Sequence, residues 1–257
     1  MTSGEKLRLQ NASSQAGVAI ATTLGRAPLT KLALYICSLS PDRRREQAAE
    51  FTAAMEDSAC RAYRRSPTKL GKVAAILDRS YSSSGSSEKA RRPLAVAMGT
   101  SALLRCAAAD YRAFWTPVLS PSAPEVLARP LGQTNLADPF LSALEWGAET
   151  IIIVSDGYEN DPPGAMYQLA LRHRQHRAQI GQAPIPILHL NPVFDSEDYA
   201  PRSLGSAIPT IGLRNAEDAL TQLAFARFAV GSCQLRELEQ FLLQRISGLL
   251  GSNNGFR

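Results

Sequence analysis

Short apolar runs alternate with longer amphipathic stretches along most of the chain. Residues 72–77 and 150–154 are continuous apolar runs, which are typical of strands buried on both faces. Weaker strand patterns occupy 111–115, 185–190 and 208–213. Between and after these strands, apolar residues occur at helical spacing and predict helices. These helices are expected at 88–108, in the segment ending at Trp146, and at 165–177, 215–230 and 234–249. This alternation predicts an α/β fold with a doubly wound, mostly parallel sheet of the Rossmann type, flanked by helices.

The part of the chain before the first predicted strand has a different pattern. Residues 1–14 are polar and lack periodicity, which predicts a flexible tail. Between 15 and 66, Ala and Leu at helical spacing predict a helical extension of two or three helices. The sequence Ser-Pro-Asp at 40–42 has the N-cap, the proline and the acid that start a helix, and this helix should run to about Arg65. Its buried face is expected to contain Ala48, Phe51, Ala54, Met55 and Ala59.

The α/β domain is predicted at 67–250, followed by a short flexible tail at 251–257. Its last helix, at 234–249, has apolar residues at a helical period: Leu235, Leu238, Leu242, Ile246 and Leu249.

The longest apolar runs are too short to cross a membrane. Residues 32–37 and 151–154 fall far below the ~20 residues that a spanning helix needs. The charged start of the chain is not followed by the apolar stretch of a secretory signal, which favours a cytoplasmic location. The four cysteines, Cys37, Cys60, Cys106 and Cys233, are far apart and include no C-x-x-C pair. They are therefore interpreted as reduced thiols that fill the core, and a zinc site is not expected.

Positive charge is concentrated near the N-terminus. Residues 1–72 hold 12 Lys and Arg against 6 Asp and Glu, although the whole chain has a net charge of only +5. Much of the excess comes from Arg43 to Arg45, Arg64 with Arg65, and Lys69 with Lys72. Such a segment either forms the solvated faces of helices or attracts nucleic acid or an acidic protein.

Polar oxygen-bearing side chains follow the two most apolar strands. Asp78, Ser80 and Ser82 come directly after the first strand, and Asp156 follows the strand at 150–154. Thr134 precedes a predicted helix. Because doubly wound folds bind ligands at the carboxyl ends of their strands, these two carboxylates and three hydroxyls are expected to converge at one edge of the sheet. The phosphate-binding patterns G-x-x-x-x-G-K-[ST] and G-x-G-x-x-G are absent from the sequence, which argues against nucleotide binding.

Three motifs in this order resemble the von Willebrand factor type A domain: D-x-S-x-S at 78–82, G-x-T-x-L at 132–136, and Asp156-Gly157 after an apolar strand. The resemblance covers roughly 68–248 and implies that family's metal-ion-dependent adhesion site. In such a site Ser80, Ser82 and Thr134 would supply hydroxyl oxygens to a divalent cation, and Asp78 and Asp156 would hold it directly or through water. Hard oxygen donors suit Mg²⁺, with Mn²⁺ or Ca²⁺ as alternatives.

Several neighbouring residues leave details of this site open. Arg79 and Tyr81 stand where the family often has small residues, and Arg79 either weakens cation binding or turns outward to meet an acidic partner. Ser83 and Ser84 leave the register of the loop open by one or two residues. A further pair of acids either borders the site or consists of loop charges that cap the next helix: Glu159 and Asp161.

A cation with only two carboxylates near it keeps positive charge and an open coordination position, which an Asp or Glu of a partner can fill. The sequence therefore favours a non-enzymatic protein–protein interaction module, and the resemblance suggests a MoxR-type ATPase as one partner. An alternative is an RNA-associated protein that uses its basic N-terminal helices, by weaker similarity to Ro-type RNA-binding proteins, although 15–66 is too short for their ring of helical repeats. A serine hydrolase using a loop serine with His189 and Asp195 is a third alternative, but G-x-S-x-G is absent.

Overall fold

The structure, a computed structural model, contains a parallel sheet between layers of helices and describes residues 24–65, 67–193, 200–229 and 234–253. The strands are β1 (Leu70–Asp78), β2 (Ala108–Thr116), β3 (Thr150–Val154), β4 (Ile187–Asn191) and β5 (Thr210–Gly212). The helices are α1 (Leu29–Ser38), α2 (Pro41–Glu46), α3 (Ala48–Arg64), α4 (Arg92–Ala107), α5 (Ala137–Glu145), α6 (Ala165–Gln179), α7 (Ala219–Ala229) and α8 (Leu235–Asn253). Short 3₁₀ turns occur at Leu24–Arg26, Tyr81–Ser84, Glu125–Leu127 and Ala216–Asp218.

The five strands form one sheet in the order β2-β1-β3-β4-β5, and every neighbouring pair is parallel. This confirms the predicted α/β fold, with a sheet that is entirely parallel. The chain moves outward from β1 to β2 on one side and then continues from β3 to β5 on the other. The strand order therefore reverses between β1 and β3, which is where doubly wound folds of this order bind their ligands.

The central strands are apolar on both faces, as the sequence predicted. In β1, Val73, Ala75 and Leu77 face one core, while Ala74 and Ile76 face the other. The first core lies against α4 and α7, and the second lies against α5 and α6. This double burial explains why β1 and β3 lack the alternation of polar and apolar residues that a half-exposed strand shows.

Helix α4 is buried on nearly all sides because it lies between the sheet and the helical extension. Leu32 of α1 and Phe51 of α3 belong to the same core as Leu94 and Met98 of α4. The helical extension thus packs on the α/β domain. Gly99 permits the close approach of a further segment, since a Cβ at this position would lie 2.7 Å from the Cβ of Ala216.

The helix predicted from Pro41 to about Arg65 is divided at Gln47 into α2 and α3. The start at Ser40 is confirmed, because its side chain accepts a hydrogen bond from the Arg43 N–H. The short α2 directs Arg44 into the protein, where its guanidinium donates to the carbonyls of Val126 and Ala128. On α3 the predicted face is buried except for Ala48, which is half-buried.

One other prediction needed correction. Helix α4 begins at Arg92 rather than at Glu88, because residues 86–91 form turns and Pro93 occupies the first turn of the helix. The apolar positions of α8 are only partly covered, since Leu238 is buried but Leu235 and Ile246 are exposed by 57% and 52%. This helix contacts α7 and is not enclosed by the core.

Helix α8 continues to Asn253. The predicted tail at 1–14, the start of the helical extension and the last residues of the second tail lie outside the described residues. None of the described helices combines the length and apolar character needed to cross a membrane.

Candidate functional site

The predicted site lies where the strand order reverses. Asp78 is the last residue of β1, and Asp156 follows β3 by two residues. Leu77 and Val154 are paired in register, so the two acids emerge at the same edge of the sheet. Both are buried, with only 4% and 7% of their surfaces exposed.

The loop after β1 arranges two serine hydroxyls around Asp78. The Asp78 Oδ1 atom accepts a 2.7 Å hydrogen bond from the backbone N–H of Ser80, which closes a tight turn. The Oγ atoms of Ser80 and Ser82 are 2.9 Å apart. Ser83 is directed elsewhere, because its hydroxyl donates to the Ser80 carbonyl at 2.7 Å. The Ser80 and Ser82 hydroxyls thus lie together, while the Ser83 hydroxyl bonds within its own turn.

Thr134 joins this loop from the segment that precedes α5. It is completely buried, and its Oγ1 donates to Asp78 Oδ2 at 3.4 Å. Its carbonyl accepts hydrogen bonds from the N–H groups of Asn160 and Asp161, at 3.1 and 3.2 Å. Thr134 therefore connects the loops that carry Asp78 and Asp156.

The Asp156-Gly157 turn is held by its own side chain and by β4. Asp156 Oδ1 accepts from the Tyr158 N–H at 3.0 Å. Gly157 has a φ of 83°, and a Cβ on it would lie 2.7 Å from the Arg202 carbonyl, so glycine is required here. Asn191, fully buried at the end of β4, donates its Nδ2 to the Asp156 carbonyl at 3.0 Å.

Asn191 was not predicted from the sequence. A single asparagine at the end of an apolar strand matches no functional motif. Its position at the edge of the sheet, however, follows from the strand pattern.

Glu159 stabilises the helix after the site. Its carboxylate accepts from the N–H of Met166 at 3.1 and 3.2 Å, at the first turn of α6. Burial raises its pKa, and hydrogen bonds from the backbone of Met166 and Leu136 oppose that increase. Of the two roles considered for Glu159, the structure shows the capping role, while Asp161 is exposed.

Arg79 does not turn outward, which was one of the two roles considered for it. The side chain is buried, with 6% exposed, and its guanidinium donates to the carbonyls of Pro117 and Val118 at 2.7 Å each and of Arg129 at 3.4 Å. Burial lowers its pKa. Its charge is therefore committed to the loop that follows β2, and it is not turned outward to an acidic partner. Tyr81, by contrast, is 65% exposed.

The two buried acids have no cationic partner among the described residues. Burial raises the pKa of Asp78 to about 7; the nearby Asp156 adds to the increase, while hydrogen bonds from Ser80 and Thr134 oppose it. The ion pairs among the described residues involve neither acid. Asp78, Ser82, Ser83 and Asp156 line one small cavity, whereas Ser80 and Thr134 adjoin it through their contacts with Ser82 and Asp78. A divalent cation at this cavity would supply the missing positive charge, so the residues present fit such an ion.

The oxygen donors are of the kind that Mg²⁺ prefers, namely two carboxylates and three hydroxyls. Within the described residues there is no cluster of three or more His, Cys, Asp or Glu side chains. A site rich in carboxylates or a zinc-type site is therefore not present in this part of the chain, and hydroxyl groups would have to supply much of the coordination.

His189 lies in β4 near the site but is occupied by other contacts. Its Nε2 lies 3.0 Å from the Ser155 carbonyl, and its Nδ1 lies 3.1 Å from Thr210 Oγ1. Burial lowers its pKa to about 4, so the ring is neutral at neutral pH. Asp195, its suggested partner in a hydrolase, lies outside the described residues.

No protein-family model matches the chain, and no curated protein matches it.

Proposed function

We propose that the chain is a non-enzymatic protein–protein interaction module that binds an acidic side chain of a partner through a divalent cation. The cation is Mg²⁺, or Mn²⁺ or Ca²⁺ in its place, and its ligands are Asp78, Ser80, Ser82, Thr134 and Asp156. The resemblance of these motifs to the von Willebrand factor type A domain and its metal-ion-dependent adhesion site supports this assignment.

The observation that carries the proposal is the convergence of three separate loops on Asp78. Ser80 and Thr134 both donate hydrogen bonds to its carboxylate, and Asp156 lies close enough to alter its pKa. The three chain segments are far apart in sequence and meet where the strand order reverses. A structural turn would not require two buried acids to share one cavity, because burying like charges together is unfavourable without a counter-charge.

The charge of the site favours binding over hydrolysis. A divalent cation with two carboxylates, of which one or both bind through water, retains an affinity for a further anion. A partner's Asp or Glu satisfies that affinity and also gives the interaction its dependence on the metal. Activation of water would require a nearby general base, and His189 contacts the Ser155 carbonyl and Thr210 rather than the loop serines. The hydrolase alternative therefore gains no support.

The partner is expected to present an exposed Asp or Glu side chain. A MoxR-type ATPase is one such partner, suggested by the resemblance alone.

Contact with RNA through the basic N-terminal segment is a weaker alternative. Arg44 is buried against backbone carbonyls, and Arg45 pairs with Asp42 at 2.7 Å. Arg64 and Arg65 remain exposed at the end of α3. Fewer arginines are thus available to phosphates than the sequence suggests. Binding of structured RNA in an electrophoretic mobility-shift assay, with an affinity that falls steeply as the salt concentration rises, would favour this alternative.

A metal-dependent pull-down tests the proposed function. The intact chain is used as bait in a lysate with Mg²⁺ and, in parallel, with EDTA. We expect Asp78→Ala to abolish the capture of every partner that EDTA releases, and we expect Asp110→Ala to leave capture unchanged. Asp110 is the matched control because it is exposed on β2, with a 3.9 Å contact to Lys72. Capture that is unaffected by both EDTA and Asp78→Ala would contradict the proposal.

A further inference from the structure

Two cysteines that are distant in sequence are adjacent in the fold. The Sγ atoms of Cys60 and Cys106 lie 2.6 Å apart, although the residues are separated by 46 positions. Cys60 is on the last turns of α3, and Cys106 is at the end of α4. Both residues are half-buried.

The contact is much closer to a covalent bond than to an ordinary contact between separate thiols. A disulfide bond has an S–S distance of about 2.03–2.05 Å, and its formation requires the two Cβ atoms to be about 3.5–4.5 Å apart. Helices α3 and α4 are held together by a shared apolar core that includes Met55, Ala59 and Leu103. The packing of the fold therefore keeps the two sulfur atoms within bonding reach.

We propose that Cys60 and Cys106 form a reversible disulfide, a modification site that joins the helical extension to the α/β domain. The oxidant is a low-molecular-weight disulfide of the glutathione class. Cys37 does not take part, because it is completely buried and its thiol contacts the Met98 sulfur at 3.5 Å.

The exchange proceeds in two balanced steps. The Cys60 thiolate attacks one sulfur of the reagent, forms a mixed disulfide and releases one small thiol. The Cys106 thiolate then attacks the Cys60 sulfur, forms the Cys60–Cys106 bond and releases the second small thiol. The two protein thiols give up two protons and two electrons; the electrons reduce the S–S bond of the reagent, and the two released thiolates take up protons.

The surroundings of Cys106 are compatible with this order of steps. Burial raises the pKa of Cys106, and its contact with Cys60 adds to the increase. Conversion of Cys60 to a mixed disulfide removes the contribution of that thiol and places the sulfur to be attacked beside Cys106.

The cross-link would close a loop that contains β1 and the segment from Asp78 to Ser82. Closing such a loop restricts the unfolded chain and stabilises the fold. The proposal does not depend on the cation, since neither cysteine belongs to the candidate site.

The test uses the intact folded chain, equilibrated with oxidised glutathione or with dithiothreitol and then alkylated. We expect the oxidised protein to lose the mass of two hydrogen atoms and to yield one linked peptide pair joining Cys60 to Cys106 after non-reducing digestion. The oxidised form should have a Tm higher by roughly 5–15 °C than the reduced form. Both changes should be reversed by dithiothreitol.

Matched variants distinguish this pair from other thiols. Cys60→Ser and Cys106→Ser should each abolish the linked peptide and the Tm increase, and Cys233→Ser should retain both. Recovery of Cys60 and Cys106 as separately alkylated or glutathionylated residues in the oxidised wild-type chain, or linkage of either one to Cys233, would overturn the proposal. This result is obtained from the wild-type protein and does not depend on whether the variants fold.

Discussion

At the scale of single residues, Asp78 combines a candidate binding role with an unfavourable environment for its own charge. Its carboxylate is 4% exposed and has Asp156 as a neighbour rather than a cation. Groups selected for binding are often costly to the fold that contains them. In the metal-free protein, Asp78 should therefore reduce stability whenever it is ionised.

This leads to a pH-dependent prediction for Asp78→Asn in EDTA. The pKa of Asp78 is about 7 in the folded chain, above its ordinary value of 3.8. Between pH 3.8 and about pH 7 the folded state therefore binds the Asp78 proton more tightly than the unfolded state does. The stability of the wild type should fall as pH rises through this window, whereas asparagine does not ionise. The free energy of unfolding of Asp78→Asn should thus exceed that of the wild type by up to about 4 kcal/mol near pH 8, with little difference near pH 4.

Urea unfolding across this pH range measures the difference, with Asp110→Asn as the control. If the free energies of unfolding of Asp78→Asn and the wild type differ by the same amount at every pH, the assigned environment of Asp78 is wrong.

At the scale of elements, two buried arginines hold loops in place. Arg44 extends from α2 to the carbonyls of Val126 and Ala128, and Arg79 extends from the end of β1 to the segment after β2. In both cases a planar guanidinium donates to backbone carbonyls of another segment, and those that Arg44 contacts belong to the buried residues Val126 and Ala128. These side chains therefore act as connectors between loops and elements and not as surface charge.

Neighbouring arginines on α2 allow a direct comparison. Arg44→Ala should lower the free energy of unfolding by about 2–3 kcal/mol, because it leaves buried carbonyls without donors and removes packed side-chain carbons. Arg45→Ala should change it by less than about 0.5 kcal/mol, because Arg45 forms only an exposed pair with Asp42. Chemical denaturation of both variants at one pH measures the effects, and equal losses would refute the assigned role of Arg44.

The strands and the residues at their ends could be located from the sequence because a parallel sheet that is buried on both faces has a clear sequence pattern. Strands buried on both faces leave a continuous apolar signal, and parallel strands bring their carboxyl ends to one edge, so the positions of Asp78 and Asp156 followed from β1 and β3. The contacts of Arg44, Arg79 and the Cys60–Cys106 pair depend on packing between distant segments, which no local pattern records. The exposure of Leu235 and Ile246 on α8 could not be predicted either, because apolar spacing indicates a helix but does not show whether another element covers it.

At the scale of the whole molecule, the helical extension and the end of the sheet are connected. The carboxylate of Glu217, before α7, accepts hydrogen bonds from the hydroxyl and the N–H of Thr30 at the start of α1, at 2.5 and 3.1 Å. The Thr30 hydroxyl in turn accepts from the Ala216 N–H at 2.8 Å. With the core shared by α1, α3 and α4, these bonds make the extension a third layer on one side of the sheet. The cavity lined by Asp78, Ser82 and Asp156 lies at the edge of the sheet, where the strand order reverses.

Calorimetric titration of Mg²⁺ into the metal-free full-length chain tests the central claim most directly, with Thr134→Val as the probe and Thr52→Val as the control. Thr134 donates to Asp78, whereas the hydroxyl of Thr52 bonds to the Ala48 carbonyl within α3. We expect one ion to bind per wild-type chain, binding to be weakened by at least about tenfold in Thr134→Val, and binding to be unchanged in Thr52→Val. Failure of the wild type to bind Mg²⁺, Mn²⁺ or Ca²⁺, or equal affinity in Thr134→Val, would contradict the central claim.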